Sequence, residues 1–457
     1  MREFLSDTVS LCPECLQRIP ARRIAEDGNI YLEKACPEHG SFRVLIWRGD
    51  GKDYLDWGQH SQEAVGPLRS LTETDRGCPY DCGLCPEHKA NTCTLIIEVT
   101  QNCNLRCPVC FASAGEAPNY EPSPETIRDI YQTVLETVGT PAVQLSGGEP
   151  TLRDDLPQLI ALGRQMGLGH IMVNTNGIRI AGDREYLQRL VDSGAGIIYL
   201  QFDGVTDQTY QYTRGTSLFQ HKIEAIRNCA EAKIGVILVP TLVAGINDRE
   251  IGDIIQFAKQ WIPTVKGVHF QPISYFGRYP KVPRDEDRIT IPDVIQALVE
   301  QTRGELKEKD FLPRRSKDSH CAFGSLFTLR EGKLQSIGSR KFGGEGSWEG
   351  RFAKTPWEAA RSFMKLHWRY GEEPGSSLGY GCRACTEPEL SFQDDFLKQI
   401  TTYGLTITGM PFQDVWNIDL ERLKRCCTHI ATPDRRIIPL CAYYLTSLSG
   451  ERLYPPL

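Results

Sequence analysis

Twelve residues decide the fold of this chain: Thr100-Gln-Asn-Cys-Asn-Leu-Arg-Cys-Pro-Val-Cys-Phe111. Within them, Cys103, Cys107 and Cys110 are separated by three and then two residues. Three thiolates at this spacing bind three irons of a cubane cluster and leave the fourth iron without a protein ligand. An open coordination position is where a metal site performs chemistry. A zinc knuckle or three buried thiols would also fit the spacing alone, so the surrounding sequence has to decide.

The composition is that of a soluble globular protein. The chain has 457 residues, of which 40% are hydrophobic, and a formal net charge of −6. This charge, without any block of like charges, argues against a broad nucleic-acid-binding surface. The first residues lack the apolar segment of a secretory signal, and the longest apolar run, residues 234–246, is too short to span a bilayer. We therefore expect a cytoplasmic protein.

The seventeen cysteines point to metal binding. In a small secreted domain they would suggest disulfides, but here they stand in short groups within a large chain that lacks a signal peptide. The first group is Cys12-Pro-Glu-Cys15, followed by Cys36-Pro-Glu-His39. Three sulfurs and an imidazole on two such knuckles predict a tetrahedral site, as in a zinc ribbon or a rubredoxin-like iron centre. His39 is the least certain of these ligands, since it could instead cap a turn.

A second group repeats the spacing of the opening stretch. Cys78, Cys82 and Cys85 are followed eight residues later by Cys93. A fourth cysteine nearby would close the cluster, and a closed cluster transfers electrons or supports structure. His88 lies between them, and we expect it to be a solvated turn residue.

From residue 95 onward, short apolar runs alternate with amphipathic stretches. The predicted strands are residues 95–99, 142–146, 170–174, 197–203, 235–243 and 265–271, and the predicted helices are residues 123–138, 154–166, 184–193, 218–232 and 249–261. This alternation predicts repeated βαβ crossovers and a parallel sheet that forms an open or partial barrel. Active sites of such sheets lie at the carboxyl ends of the strands. The cysteine loop, Ser146 to Pro150 and Asn174 to Gly177 all follow strands, so we expect them to converge on one site.

At this point the chain resembles a radical SAM enzyme over residues 95–275. Cys103, Cys107 and Cys110, with Phe111 directly after them, match the cluster motif of that family, whose open iron is chelated by S-adenosylmethionine. Gly147-Gly148-Glu149-Pro150 matches its glycine-rich segment, which contacts the methionine amino group. Glycines there would let a ligand approach the bare backbone.

The same resemblance assigns further residues to the cofactor. Asn174 and Asn176 would lie near its ribose or carboxylate, Gln201 and Asp203 near the ribose hydroxyls, and Val243 beside the adenine, while Gln271 would line the last strand. For each of these, an ordinary strand-end turn remains an alternative. The implied chemistry is reductive cleavage of S-adenosylmethionine and hydrogen abstraction by a 5′-deoxyadenosyl radical, with ferredoxin or flavodoxin as external electron donor.

The C-terminal third resembles an auxiliary-cluster domain. Its preferred ligands are Cys321, Cys426, Cys427 and Cys441, because residues 426–441 enclose a predicted hairpin. Cys382 and Cys385 are alternatives for two of them, and Cys427 could be a buried thiol. Cys229, inside an amphipathic helix, is expected in the core.

The whole chain is similar to the branch that contains tetraether lipid synthases and dihydropterin dimethyltransferase-like proteins. We therefore expect a metal module (residues 1–70), an auxiliary-cluster segment (71–94), a partial (β/α)6 barrel (95–275) and a C-terminal cluster and substrate domain (276–457). The expected cofactors are one catalytic and two auxiliary [4Fe-4S] clusters, S-adenosylmethionine and one mononuclear zinc or iron. The leading hypothesis for the substrate is a lipid chain, with possible contact to a membrane surface. A peptide-modifying or methylating enzyme is the alternative, and a non-catalytic electron carrier is a remote one.

Overall fold

The computed structural model describes residues 2–59, 66–67, 69–115, 120–314, 318–337, 370 and 399–454. Its first unit is an antiparallel sheet in the order β1-β2-β3-β4. The four strands are β1 (Arg2–Leu11), β2 (Arg18–Glu26), β3 (Asn29–Cys36) and β4 (Gly40–Arg48), followed by helix α1 (Gly51–Gly58). The predicted ligands Cys36 and His39 lie at the turn between β3 and β4, and Cys12 and Cys15 lie between β1 and β2.

The central sheet follows the predicted alternation. Its strands are β5 (Thr94–Thr100), β6 (Ala142–Gly147), β7 (His170–Thr175), β8 (Ile197–Gln201), β9 (Val236–Val239), β10 (Thr241–Leu242) and β11 (Val265–Pro272). All of these pair in parallel. The predicted fifth strand is divided into β9 and β10 at Pro240, which has no N–H to donate to a ladder.

The helices cover one face of this sheet. They are α2 (Pro124–Thr137), α3 (Leu156–Gln165), α4 (Ile178–Gly182), α5 (Arg184–Asp192), α6 (Asp207–Arg214), α7 (Phe219–Glu231), α8 (Ile251–Gln260) and α9 (Ile291–Gln301). In α2, the Ser123 hydroxyl accepts from the Thr126 N–H at 3.2 Å and caps the helix. Ile127, Ile130 and Val134 then recur at helical spacing and are buried. Among the described helices, none combines the length and apolar character needed to cross a bilayer.

The C-terminal third extends the same sheet at both edges. Its strands are β12 (Leu312–Pro313), β13 (Phe323–Arg330), β14 (Lys333–Ser336), β15 (Gly404–Gly409), β16 (Thr428–Ala431) and β17 (Ile437–Pro439), with short helices α10 (Leu420–Leu423) and α11 (Leu440–Tyr443). β15 pairs in parallel with β11, and β16 pairs in parallel with β5. The predicted boundary at residue 275 is therefore not a break in the sheet. The predicted hairpin is present as β16 and β17.

The sheet curls around a cavity. In β5, Leu95, Ile97 and Val99 pack in the main core between sheet and helices, whereas Ile96 faces the opposite side. Residues from β5 through β11, and from β13, β15 and β16, line one cavity of about 300 Å³. The predicted α/β fold with a partial barrel is thus confirmed, and the cavity lies on its inner side.

The N-terminal sheet is not an isolated module. Ile30 and Trp47 belong to the same core cluster as the barrel strands. The Leu45 N–H donates to the Asp285 carboxylate at 2.8 Å, and the Trp57 indole N–H donates to the Ser319 carbonyl at 2.8 Å. The metal module therefore packs directly against the barrel.

Candidate active site

The cysteine loop follows β5 and faces the cavity. Cys103, Cys107 and Cys110 all line it, with Cys107 buried and the other two half-buried. Burial raises the pKa of the Cys103 thiol to about 11. Burial also raises the pKa of Cys107, although the nearby Arg214 guanidinium opposes that shift. Cluster binding, which requires thiolates, therefore has to displace protons from these thiols.

The glycines of the Gly-Gly-Glu-Pro segment have a structural reason in addition to the one expected. A Cβ on Gly147 would lie 2.1 Å from the Thr100 carbonyl oxygen, and one on Gly148 would lie 2.2 Å from the Asn102 carbonyl oxygen. Gly147 also has a φ of 122°. The backbone approached this closely belongs to the cysteine loop, so the glycines seat that loop on the end of β6.

Glu149 joins the ends of two strands. Its Oε1 accepts from the Thr151 hydroxyl at 2.6 Å and from the Thr175 hydroxyl at 2.7 Å, and its Oε2 accepts from the Asn176 N–H at 2.6 Å. The side chain is 1% exposed. Both oxygens are therefore engaged within the protein, and Glu149 holds the loop after β6 against the loop after β7.

Two buried polar atoms of cavity-lining residues lack a partner among the described residues. These are Asn174 Oδ1, an acceptor, and Gln201 Nε2, a donor, at the ends of β7 and β8. The Gln201 amide is oriented by Lys222, whose Nζ donates to its Oε1 at 2.8 Å. Burial lowers the pKa of Lys222 to about 7. A bound ligand with hydroxyl groups, such as the ribose of S-adenosylmethionine, can satisfy both atoms, so the donor set fits that cofactor.

Most residues that the resemblance assigns to the cofactor line this cavity. They are Phe111, Gly147, Gly148, Glu149, Asn174, Asn176, Gln201 and Gln271. Pro150, Asp203 and Val243 are not among the described lining residues. Pro150 begins a buried turn at residues Pro150–Leu152, and Val243 packs against Val109, Ile273 and Tyr275.

Asp203 differs most from its expected role. Its carboxylate is fully buried and accepts from Arg214 Nε at 2.6 Å and Nη2 at 2.8 Å. It also accepts from the Thr213 hydroxyl at 2.7 Å and the Thr241 N–H at 3.1 Å. With both oxygens used in this way, Asp203 has no free acceptor for ribose hydroxyls.

The segment after β11 also holds the cysteine loop. From the sequence, this segment was interpreted only as a domain boundary. Arg278 and Cys110 exchange two backbone hydrogen bonds of 2.9 Å, and Arg278 Nε donates to the Cys107 carbonyl at 2.7 Å. Gly277, with a φ of 53°, has no room for a Cβ, because the Phe111 carbonyl oxygen would lie 2.6 Å away. The adjacent Gly277 and Arg278, within a stretch rich in turn residues, were the sequence signal that could have indicated this contact.

The predicted mononuclear site forms in the N-terminal sheet. The ligand atoms of Cys12, Cys15, Cys36 and His39 all lie within 4.8 Å of one another. His39 Nδ1 lies 3.6 Å from Cys12 Sγ and 3.4 Å from Cys36 Sγ, so it takes part in the site rather than only capping a turn. Three sulfurs and one imidazole at this separation fit one tetrahedral zinc or iron ion.

The second cysteine group is only partly drawn together. Cys78, Cys82 and Cys85 lie near one another. Tyr454 secures this loop, because its hydroxyl donates to the Pro79 carbonyl at 2.6 Å. Cys93 packs instead against Ala90 and Cys427, and donates to the Cys427 carbonyl at 3.2 Å. Its place in the cluster of Cys78, Cys82 and Cys85 remains a proposal.

His88 is not the solvated turn residue that was expected. It is 7% exposed, and its Nε2 lies 2.8 Å from the Cys426 carbonyl oxygen and 3.1 Å from His429 Nε2. Burial lowers the pKa of His88 to about 4. The imidazole pair packs the second cysteine group against the C-terminal strands.

The C-terminal cysteines divide into two sets. Cys321, Cys426 and Cys441 lie near one another and near Arg422, whose Nη2 donates to Cys321 Sγ at 3.4 Å. Cys427 belongs with Cys93 instead. The alternative ligands Cys382 and Cys385 lie outside the described residues. Cys229, as expected, is fully buried in the core of the barrel.

Comparison with known proteins gives the family. The model of the radical SAM superfamily matches residues 97–258, and that of the HMPTM N-terminal zinc ribbon domain matches residues 4–48. The 7,8-dihydro-6-hydroxymethylpterin dimethyltransferase of Methanocaldococcus jannaschii is 38% identical over 95% of this chain and 92% of its own length. This chain belongs to the radical SAM superfamily. As a radical SAM enzyme, it depends on a [4Fe-4S] cluster and cleaves S-adenosylmethionine.

More distant relatives cover less of the enzyme. The Fe-coproporphyrin III synthase of Methanosarcina barkeri is 29% identical over 70% of this chain and 73% of its own length. Among solved structures, SuiB of Streptococcus suis bound to S-adenosylmethionine aligns at 15% identity with a TM-score of 0.39, covering 46% of this chain and 47% of that one. This radical SAM enzyme thus matches the pterin dimethyltransferase over 95% of its length and the Fe-coproporphyrin III synthase over 70%.

Proposed function

We propose that this radical SAM enzyme methylates a small heterocyclic substrate of the reduced-pterin type. The observation that carries the proposal is its 38% identity to the pterin dimethyltransferase across nearly the full length of both chains, including the zinc ribbon. When bound, the cluster and S-adenosylmethionine supply a 5′-deoxyadenosyl radical that removes hydrogen from carbon. The protein's own part is to orient both molecules and exclude water.

The inner wall of the cavity supports a polar substrate. Gln144, Tyr199, His269 and Arg314 line it together with the strand-end amides. The His269 imidazole is fixed by Thr408, with Nδ1 and Oγ1 2.7 Å apart. A pterin ring presents donors and acceptors along its edge that side chains of this kind can pair with.

A lipid tail, the leading hypothesis from sequence, is less well supported. The relative that matches nearly the whole chain is named for action on a pterin. We retain an external one-electron donor, such as ferredoxin or flavodoxin, as part of the proposal.

The test is a product analysis with the anaerobically reconstituted enzyme. The reduced enzyme receives methyl-deuterated S-adenosylmethionine and 7,8-dihydro-6-hydroxymethylpterin, with total lipid extract in a parallel reaction. We expect the pterin to gain one or two methyl groups by mass spectrometry and to stimulate 5′-deoxyadenosine release. Deuterium in the product identifies S-adenosylmethionine as the methyl source. Stimulation by lipid alone, with unaltered pterin, would overturn the proposal.

The cluster assignment is tested separately. Cys107→Ala should abolish 5′-deoxyadenosine formation, whereas Cys229→Ala, which changes a buried core thiol, should retain it. Cleavage by the Cys107→Ala variant would show that the catalytic cluster lies elsewhere.

A further inference from the structure

We propose that Arg214, held by Asp203, is a positioning residue that fixes the Cys107 end of the cysteine loop and raises the reduction potential of the cluster bound there. This inference rests on the proposal that Cys103, Cys107 and Cys110 hold the catalytic cluster. It concerns the ion pair of Asp203 and Arg214. The resemblance assigned Asp203 to the cofactor, and the sequence analysis gave Arg214 no role.

The ion pair of Arg214 and Asp203 is buried and held in a fixed geometry. Arg214 is the last residue of α6, and Gly215 ends the helix there with a φ of 79°. The guanidinium meets the Asp203 carboxylate with two parallel hydrogen bonds of 2.6 and 2.8 Å. The two side chains are 10% and 0% exposed. A two-pronged contact of this kind fixes the plane of the guanidinium as well as its position.

The free side of the guanidinium reaches the cysteine loop. Nη1 donates to the Val109 carbonyl at 3.3 Å, and the guanidinium lies near the Cys107 thiol. Gly215 lies beside Pro108, where a Cβ would be 3.7 Å from the proline ring. Nη2 is held in addition by the Thr241 hydroxyl at 3.0 Å. Arg214 therefore links the ends of β8 and β10 to the loop between Cys107 and Cys110.

Arg214 and Asp203 carry opposite charges, so they have opposite effects on the energy of an electron added to the cluster. A cluster gains negative charge when it is reduced, and hydrogen bonds and charges near its sulfurs shift its potential. The Arg214 cation stabilises the reduced form, whereas the Asp203 anion, lying behind the arginine, destabilises it by a smaller amount. Because both groups are buried, salt screens them little.

The test compares three variants at these two positions. The midpoint potential of the cluster is measured by electron paramagnetic resonance during a redox titration of the full-length enzyme, following the signal that changes when S-adenosylmethionine is added. Arg214→Gln should lower the potential, so that at a fixed solution potential the ratio of reduced to oxidised cluster falls about tenfold, which corresponds to about 59 mV for one electron. Asp203→Asn should raise the potential, and Arg214→Lys should keep it closer to that of the wild type.

A matched control is present elsewhere in the chain. Arg288 and Asp414 form another buried pair, with side chains 7% and 0% exposed and hydrogen bonds of 3.0 and 3.2 Å. Arg288→Gln should leave the potential unchanged. A shift in Arg288→Gln as large as that in Arg214→Gln would overturn the inference. Shifts of the same sign in Arg214→Gln and Asp203→Asn would also overturn it, because a purely structural perturbation does not depend on the sign of the charge that is removed.

Two further outcomes are distinguishable. If Arg214→Gln does not incorporate iron, Arg214→Lys and Asp203→Asn carry the test: a raised potential in Asp203→Asn alone supports the inference, and no difference between the two refutes it. If the signal persists in Cys107→Ala, the cluster assignment itself has failed. If the signal depends on Cys107 but the potential moves in neither Arg214→Gln nor Asp203→Asn, only this inference has failed.

Discussion

Lys222 is a buried cation that acts on the cavity through another side chain. Its Nζ donates to the Asn176 carbonyl and to Gln201 Oε1, and the ammonium group is fully buried. Because Gln201 Oε1 is held in this way, the Nε2 end of the amide is the one without a partner among the described residues. This arrangement decides which end of the amide a ligand meets.

We predict that Lys222→Met raises the KM for S-adenosylmethionine about fivefold, with little change in kcat, since one oriented hydrogen bond contributes about 1 kcal/mol. The Gln201 amide can then rotate and present the wrong group to the ligand. Steady-state release of 5′-deoxyadenosine measures both constants. Lys266→Met is the control, because Lys266 is also a buried lysine with a lowered pKa but donates to the Thr401 carbonyl. An equal change in both variants would show a general loss of packing.

Residue roles were predictable where a local motif carries them. The tetrahedral site of Cys12, Cys15, Cys36 and His39 follows from ligand number and separation, and the cysteine loop follows from its spacing together with the neighbouring Gly-Gly-Glu-Pro segment. Asp203 was assigned wrongly because its partner Arg214 lies on α6, a helix that the apolar periodicity did not reveal. Thr206 before this helix and Gly215 after it were the cap signals that could have located it.

At the scale of elements, the six central strands were predictable because each is an apolar run between turn residues. The pairing of β15 and β16 with the two edges of the barrel was not, because long-range register has no local sequence signal. The same limit applies to the contact between the Gly147 backbone and the cysteine loop.

We predict that Gly147→Ala prevents proper seating of the cysteine loop. The added Cβ would collide with the Thr100 carbonyl, and the positive φ is strained for alanine. The variant should incorporate less [4Fe-4S] cluster on reconstitution and lose 5′-deoxyadenosine formation, while its zinc or iron at the mononuclear site is retained.

Gly167→Ala is the matched control for that variant. Gly167 also has a positive φ, of 103°, but a Cβ there meets nothing within 4 Å. Iron analysis and electron paramagnetic resonance of both proteins separate backbone strain from collision. Equal cluster loss in the two variants would contradict the proposed seating role.

At the scale of the whole molecule, the metal module supports the C-terminal loop that leads into α10. Arg23 Nε donates to the Asp419 carboxylate at 3.1 Å, and the Lys34 Nζ donates to the Val415 carbonyl at 2.9 Å. Arg23 and Lys34 both lie on the sheet that carries the tetrahedral site. Loss of the metal should therefore loosen a segment that is distant in sequence.

We predict that Cys15→Ser removes one equivalent of zinc or iron per chain and increases hydrogen exchange at residues 413–419, with β6 to β8 still protected. Metal analysis and hydrogen-exchange mass spectrometry check the two parts. Cys229→Ser, which alters a buried core thiol, should retain the metal. Unchanged exchange at residues 413–419 after metal loss would show that the loop is held without the module.

The pairing of β16 with β5 has a consequence for the order in which the protein can be completed. Cys93 and Cys427, at the starts of these two strands, are 334 positions apart. A ribosome therefore releases the first barrel strand long before its outer neighbour exists, and one edge of the growing sheet stays open throughout that interval. Unpaired edges of this kind invite association with other chains. The outer edge of β5 is thus expected to be covered only after residues 428–431 have been synthesised.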